Sequence, residues 1–336
     1  MKRLSYILLI LSLALVGACR GSVDEPQKQK PSGGGGSSEE ESKSGEDSGP
    51  ITVQVATCNL LRPSGRRDEM SLDRPAVQEA LAYSIIATGA SIIAFNEIDE
   101  TYIPGGTYDL KAMCGGIGLS WRWKMEWPND ITDANGSVSY SYANGYAFDS
   151  SIFEQEASGY AWLAKESMQW YTDASEAYKK VGSPERTCVW ARFKHKASGK
   201  RFVFFVSHLP TSSQGGAPNM ALVLNRYASD RSGTLPAILA GDMNFGEGTD
   251  PYINLTKWWT DGNEGSRAGT LSGSSKSYYY TTDVFTNKHP ERRIDHILTH
   301  GCTASDYRSV VFTYNYAGKD WCPSDHLPVT ATITIE

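Results

Sequence analysis

The chain has 336 residues, enough for one large domain or at most two beside short accessory segments. Its 32 Lys+Arg stand against 38 Asp+Glu, a net charge of −6, so it lacks the basic excess that tight non-specific nucleic-acid binding needs. The cysteines match no zinc-ligand spacing, and the five after Cys19 are an odd number, which leaves at least one thiol without a disulfide.

Lys2 and Arg3 precede an apolar run from Tyr6 to Val16 that is too short to span a bilayer, the order of an export signal. The run ends Val16-Gly17-Ala18-Cys19, which resembles a bacterial lipobox. That resemblance implies cleavage after residue 18, acylation of Cys19 and an exported, membrane-anchored protein facing the periplasm or cell surface; an ordinary cleaved signal is the alternative. Residues 19–50 hold a four-glycine run among Ser, Pro, Glu and Lys, too poor in apolar side chains to build a core, and read as a flexible tether.

Residues 51–336 form the body. Ile51 to Ala56 alternates apolar and polar residues, a half-buried strand. Leu72 to Thr88 carries Val77, Leu81 and Ile85 at helical spacing behind Ser71, a candidate cap. Ser91 to Ile98 is a compact apolar strand. Residues 104–150 are rich in Gly, Trp, Tyr and Asn without a clear period and suggest strands broken by loops. Thr187 to Phe193 and Arg201 to Ser207 read as strands joined by Ala197-Ser198-Gly199-Lys200, and Met220 to Asp230 as a helix. Leu235 to Ala240, Ile294 to Thr299, Ser309 to Tyr314 and Val329 to Ile335 complete the strands. The mixed order suggests α/β with two mixed sheets packed face to face and helices outside.

Polar residues sit where the apolar runs stop. Asn59 follows the first strand, Glu97 closes Ile92-Ile93-Ala94-Phe95, and His208 closes Phe202 to Ser207. Gly241-Asp242-Met243-Asn244 closes Ile238-Leu239-Ala240, Asp295 sits at the start of Ile294-Asp295-His296-Ile297-Leu298, and Ser324-Asp325-His326 precedes Leu327-Pro328-Val329. Groups at strand ends converge on one rim of a sheet. Glu97, Asp242, Asp295 and Asp325 would then crowd four carboxylates together, which is costly without a cation among them. Oxygen donors with few imidazoles favour Mg²⁺, Mn²⁺ or Ca²⁺ over zinc.

This order of motifs, from Val55-Ala56-Thr57-Cys58-Asn59 to Ser324-Asp325-His326, resembles the endonuclease/exonuclease/phosphatase superfamily. The resemblance implies a four-layer α/β sandwich and metal-dependent hydrolysis of a phosphoester. It implies Glu97 as principal metal ligand, with Asn59, Asp295 and Asp325 in or next to the metal site. Asp242 would orient or deprotonate the attacking water, and Asn244 would hold Asp242 and a phosphate oxygen. His326, paired with Asp295, would hydrogen-bond the scissile phosphate, and His208 would support the pentacovalent phosphorus or the leaving group. The family commonly carries Gln before its metal-binding Glu, where this chain has Asn96.

Several readings stay open on sequence. Arg186 is a candidate phosphate clamp or a surface partner of Glu185. Trp121, Trp123, Trp127, Tyr140, Tyr142 and Tyr146 line a groove or fill a core, and Trp321 is a candidate pocket wall. Nucleic acid enters as a substrate only, with Arg292-Arg293 right beside Asp295 among the few short basic clusters, against a lipid headgroup or a small phosphoester; a non-catalytic binding protein is the remaining class. No protein partner is implied, and no bond is expected between Cys302 and Cys322.

Overall fold

The computed structural model describes residues 49–115, 143–164, 168–172, 186–211, 215–263 and 293–336. The expectations for the export signal, Cys19, the tether, Glu185, Arg292 and the aromatics from Trp121 to Tyr142 lie outside the described residues.

The first unit runs from strand β1 (Ile51–Asn59) through helix α1 (Pro75–Ile86) to β2 (Ile92–Ile98), which lies parallel to β1. The helix starts later than its apolar spacing suggests, and Ser71 does not cap it. Pro75 has no N–H to leave unbonded and forces its predecessor out of helical conformation. Arg74 accordingly sits at φ −92°, ψ 117°, and the Ser71 hydroxyl accepts the Asp73 N–H instead. After β2 comes a short helix α2 (Leu110–Gly115), where strands were expected, and then β3 (Ala143–Phe148). The long antiparallel run follows: β4 (Phe153–Ala164), β5 (Gln169–Tyr171), β6 (Arg186–His195) and β7 (Arg201–Ser207).

A second strand–helix–strand unit leads from β7 through α3 (Ala217–Ser232) to β8 (Ala237–Asp242), again parallel. The helix α4 (Asp250–Leu255) and strands β9 (Thr260–Asp261), β10 (Asp295–His300), β11 (Thr303–Ser309), β12 (Tyr314–Tyr316), β13 (Lys319–Trp321) and β14 (Val329–Ile335) finish the fold. The strand expected over Ser309 to Tyr314 is a connection between β11 and β12. Val311 is exposed there, and Phe312 stacks on Tyr83 of α1 at 5.4 Å.

The first sheet has the order β11-β14-β1-β2-β3 and the second β5-β4-β6-β7-β8-β10-β9. Strand alternation explains why they stack. Phe202, Phe204 and Val206 of β7 meet Val53, Val55, Ile92 and Ala94 in the core between the sheets. The intervening Val203 and Phe205 face α3 through Val223 and Leu224. On the other side Ala56, Cys58, Ile93 and Phe95 meet Val77, Leu81 and Ile85 of α1. Strands buried on both faces become continuous apolar runs. The result is helix, sheet, sheet, helix: the four-layer α/β sandwich. Tyr146 belongs to this core, fully buried between the sheets, and lines no groove. All five cysteines after Cys19 are free thiols.

Candidate active site

The strand ends meet as their sequence positions suggest. Asn59 ends β1, Glu97 lies one residue from the end of β2, Asp242 ends β8, and His208 follows β7 directly. Asp295 opens β10 opposite Asp242, because the antiparallel register pairs the two residues. The loop before β14 brings Asp325 and His326 to the same rim.

Two local backbone features aim these side chains. The β2–β3 register shifts between Phe95 and Ile98, and Glu97 inside that bulge has φ 58°. Asn244 has φ 57° in the turn after β8. Non-glycine residues held in the left-handed region store backbone strain, which the surrounding contacts must hold in place.

Asn59 is the hub. It is buried, and its Nδ2 donates to Glu97 Oε1 at 3.3 Å and to Asp242 Oδ2 at 3.1 Å, while its Oδ1 accepts the Leu61 N–H. Glu97 Oε2 accepts the Arg62 N–H at 3.2 Å. Asp242 Oδ1 accepts the Asn244 N–H at 2.8 Å. The Ser324 hydroxyl donates to the Asn59 carbonyl at 2.7 Å and accepts the His326 N–H, which fastens the last motif to the first. His326 Nδ1 lies 2.7 Å from Asp295 Oδ2, the expected pair, and its Nε2 points toward Asp242 at 3.7 Å.

Charge is unevenly distributed over this rim. Burial raises Asp242 to about 7; the Asp295 charge adds to that, against the His326 charge and the donors Asn244 N–H and Asn59. Asp325 is also raised, by burial and by the charge of Glu97. Burial lowers His326, yet the charges of Asp295 and Asp242 outweigh it and hold the imidazole well above its ordinary value, so it carries a proton. His208 goes the other way: burial, then the Arg186 and His326 charges, keep it neutral. Its Nε2 lies 2.8 Å from Asn244 Nδ2 and 3.3 Å from Asp242 Oδ2. A neutral ring can accept from the first or donate to the second through that atom, but not both. Its Nδ1 is buried without a partner.

Arg186 is the first residue of β6, not a residue before it, and it is buried with its charge felt at His208. Trp321 sits in the β12–β13 hairpin against the α1-side core. It is not among the residues lining the groove beside Asn244, described below. Arg293 is buried too, and its guanidinium grips both Asp261 oxygens at 2.7 and 2.6 Å. It therefore offers nothing to a nucleic-acid backbone.

The sequence profile of the endonuclease/exonuclease/phosphatase family matches residues 57–326. The chain belongs to this family. Among solved structures, a family member from Bacteroides thetaiotaomicron is 21% identical with TM-score 0.67, covering 86% of this chain and 99% of its own. A mannosyl-6-phosphatase from the same organism is 20% identical with TM-score 0.65, covering 84% and 99%. The human nocturnin catalytic domain with bound sulfate is 15% identical with TM-score 0.58, covering 84% and 93%. At these identities the likeness is one of fold. No curated protein sequence matches the chain significantly.

The order of motifs was readable in the sequence, but some partners were not. The Asn244 amide holds His208 and the Leu209 carbonyl, and only its backbone N–H holds Asp242. Asn144, in the stretch without a clear period, lies inside β3 and accepts from Asn96 Nδ2. Ser324 carries the link between the first and last motifs, for which the run Ser324-Asp325-His326 was the available signal.

Proposed function

We propose that the chain is an exported, divalent-metal-dependent phosphoester hydrolase that directs water in line at phosphorus and acts on small or headgroup-type phosphoesters. The observation that carries this reading is the convergence on one rim of four carboxylates, Asp242 among them, and two imidazoles of opposite protonation.

The donor set fits a hard cation. Asp242, Asp295 and His326 offer ligand atoms within 4.8 Å of one another. The short Asp295–His326 contact already uses His326 Nδ1, so that pair is better read as imidazolium and carboxylate. Glu97, with Asn59 and Asp325 beside it, is then the holder of the cation, Mg²⁺ first and Mn²⁺ or Ca²⁺ as alternatives. When bound, a divalent cation polarises a phosphoryl oxygen and offsets its charge.

The protein's own groups do the rest. Asp242, raised toward neutrality, is matched to accept a proton from water near pH 7. The protonated His326 donates to a phosphoryl oxygen and is held in place by Asp295, strongest where charge builds in the transition state. Neutral His208 sits beside Asp242, with Asn244 holding its ring at the rim. Arg186 lends positive charge from β6.

Two observations support a compact substrate. A groove of about 350 Å³ opens beside Asn244, lined by Pro210, Ala217, Phe245 and Asp250 among others, with no Lys or Arg among the described residues of its lining. The mannosyl-6-phosphatase neighbour, by its name, acts on a sugar phosphate. Purified body should hydrolyse sugar phosphates and bis-p-nitrophenyl phosphate with Mg²⁺ and stop in EDTA until metal is restored. Full activity in excess chelator would overturn the metal. Efficient cleavage of duplex DNA that collapses between about 50 and 200 mM salt would replace the substrate class.

A further inference from the structure

The site is built from two halves that belong to different sheets. The first sheet contributes Asn59 and Glu97, and β14 of that sheet follows directly on the loop bearing Asp325. The second contributes Asp242 and Asp295, with His208 leaving β7. Between the sheets the core is mostly hydrocarbon, which is non-directional and sets no fine spacing.

One buried polar network crosses it just behind the rim. Asn96 is fully buried; its Oδ1 accepts the Asp242 N–H at 2.8 Å, and its Nδ2 donates to Asn144 Oδ1 at 2.8 Å and to the Ser207 carbonyl at 3.2 Å. Asn144, also of the first sheet, donates through Nδ2 to the Thr187 carbonyl at 2.9 Å and to its Oγ1 at 3.1 Å in the second. The Ser207 hydroxyl closes the network on the same Thr187 carbonyl at 3.0 Å. Both amide hydrogens and the oxygen of Asn96 are used, so turning the amide over would set its nitrogen against the Asp242 N–H and its oxygen against the Ser207 carbonyl.

The backbone is shaped around this amide. The β7–β8 ladder ends at Val206 and Ala240, which leaves the Asp242 N–H, beyond it, for a side-chain acceptor. A Cβ on Gly241 would stand 2.0 Å from the Ser207 carbonyl oxygen and 3.3 Å from Asn96 Oδ1, so only glycine fits there. The next residue on β2 after Asn96 is Glu97, whose positive φ turns its carboxylate to the rim while Asn96 points between the sheets.

We propose that Asn96, braced by Asn144, is a positioning residue that fixes Asp242 of one sheet against Glu97 of the other and so sets the reach between metal ligand and base. The inference rests on the hydrolase reading above. It also gives the departure from the family's usual Gln a physical content: a longer amide at position 96 would have to displace the Asp242 backbone or part the sheets.

The test compares Asn96→Leu, Asn96→Gln and Asn144→Ser with a control. Tyr146→Phe breaks another bond across the same core, from Tyr146 Oη to Gln155 Oε1 at 3.0 Å, without touching the rim. At saturating Mg²⁺ on a sugar phosphate, the position-96 and position-144 variants should lose about 10- to 100-fold in kcat with little change in KM, as a small misplacement of reacting groups does. Asn96→Gln, which keeps donor and acceptor, should lose least at position 96. The control should lose thermal stability and keep its kcat. If Asn96→Leu fails to fold, Asn96→Gln and Asn144→Ser carry the comparison. Hydrogen exchange at the Asp242 amide, followed by NMR, should quicken in the position-96 variants and not in the control. That readout needs no turnover, so an inactive unmutated protein would defeat the hydrolase reading while leaving this bond open to measurement. A folded Asn96→Leu with kcat unchanged, kcat losses that merely track thermal stability across all variants, or unchanged Asp242 exchange would overturn the proposal.

Discussion

Asp242 accepts from Asn59 and Asn244 while facing an imidazolium on one side and a neutral imidazole on the other. Asp242→Asn keeps the side chain's shape and removes its capacity to take a proton. Turnover should fall by about 100-fold or more, the usual share of a general base, with the thermal midpoint nearly unchanged. A variant that retained more than about a tenth of the wild-type kcat, under roughly 1.4 kcal/mol of barrier, would deny Asp242 that role. This residue was legible in the sequence because a carboxylate ending Ile238-Leu239-Ala240 has nowhere to go but the rim. Its partners were not legible to the same degree. Asn96 and Asn144 are distant in sequence and meet on neighbouring strands of the first sheet because the β2–β3 register, with its bulge at Glu97, brings them together. Arg186 was ambiguous for the same reason: its burial depends on β6 beginning one residue earlier than the apolar run suggests.

Elements were easiest to read where both faces of a strand are apolar and hardest where a single residue overrides the pattern. Pro75 moved the start of α1, and the Val310-Val311-Phe312 run became a connection in which Val311 faces solvent and Phe312 rests on α1. The start of β10 shows a further override. Arg293, one residue before Ile294, is held by Asp261 of β9 and by Glu247, with His296 Nδ1 at 3.0 Å. Burial pushes the Asp261 carboxyl up, but hydrogen bonds from His296 and Arg293 and their charges outweigh it and hold the carboxyl well below its ordinary range. A depressed carboxylate gives stability that is present above its unfolded pKa, about 3.9, and is lost as pH falls through and below that value. The thermal midpoint should therefore drop between pH 5 and pH 3. Asp261→Asn should be less stable at pH 5 by about 3 kcal/mol, since it leaves Arg293 buried with less compensation, and should flatten that acid-side slope. Equal slopes for the two proteins would remove Asp261 from the account.

For the molecule as a whole, composition and the family match bear on different stretches of the chain. Residues 19–50 have almost no core-forming side chains, while the family match begins at residue 57. The proposed anchor predicts that Cys19→Ser shifts the protein out of the membrane fraction, checked by fractionation of expressing cells, without changing kcat on a soluble substrate. Retention of Cys19→Ser in the membrane fraction would argue against acylation. Among the described residues no helix is long and apolar enough to cross a membrane. The sheet order carries one more consequence. Strand β14 lies between β11 and β1, and its residues pair from Ile51 opposite Ile335 to Thr57 opposite Val329. A ribosome thus releases the two strands at the heart of one sheet at opposite ends of synthesis, so β1 has no partner on that side until nearly the whole body has emerged. Nascent chains cut before residue 329 should stay open to protease and inactive however long they wait, and competence should arrive as a single late event.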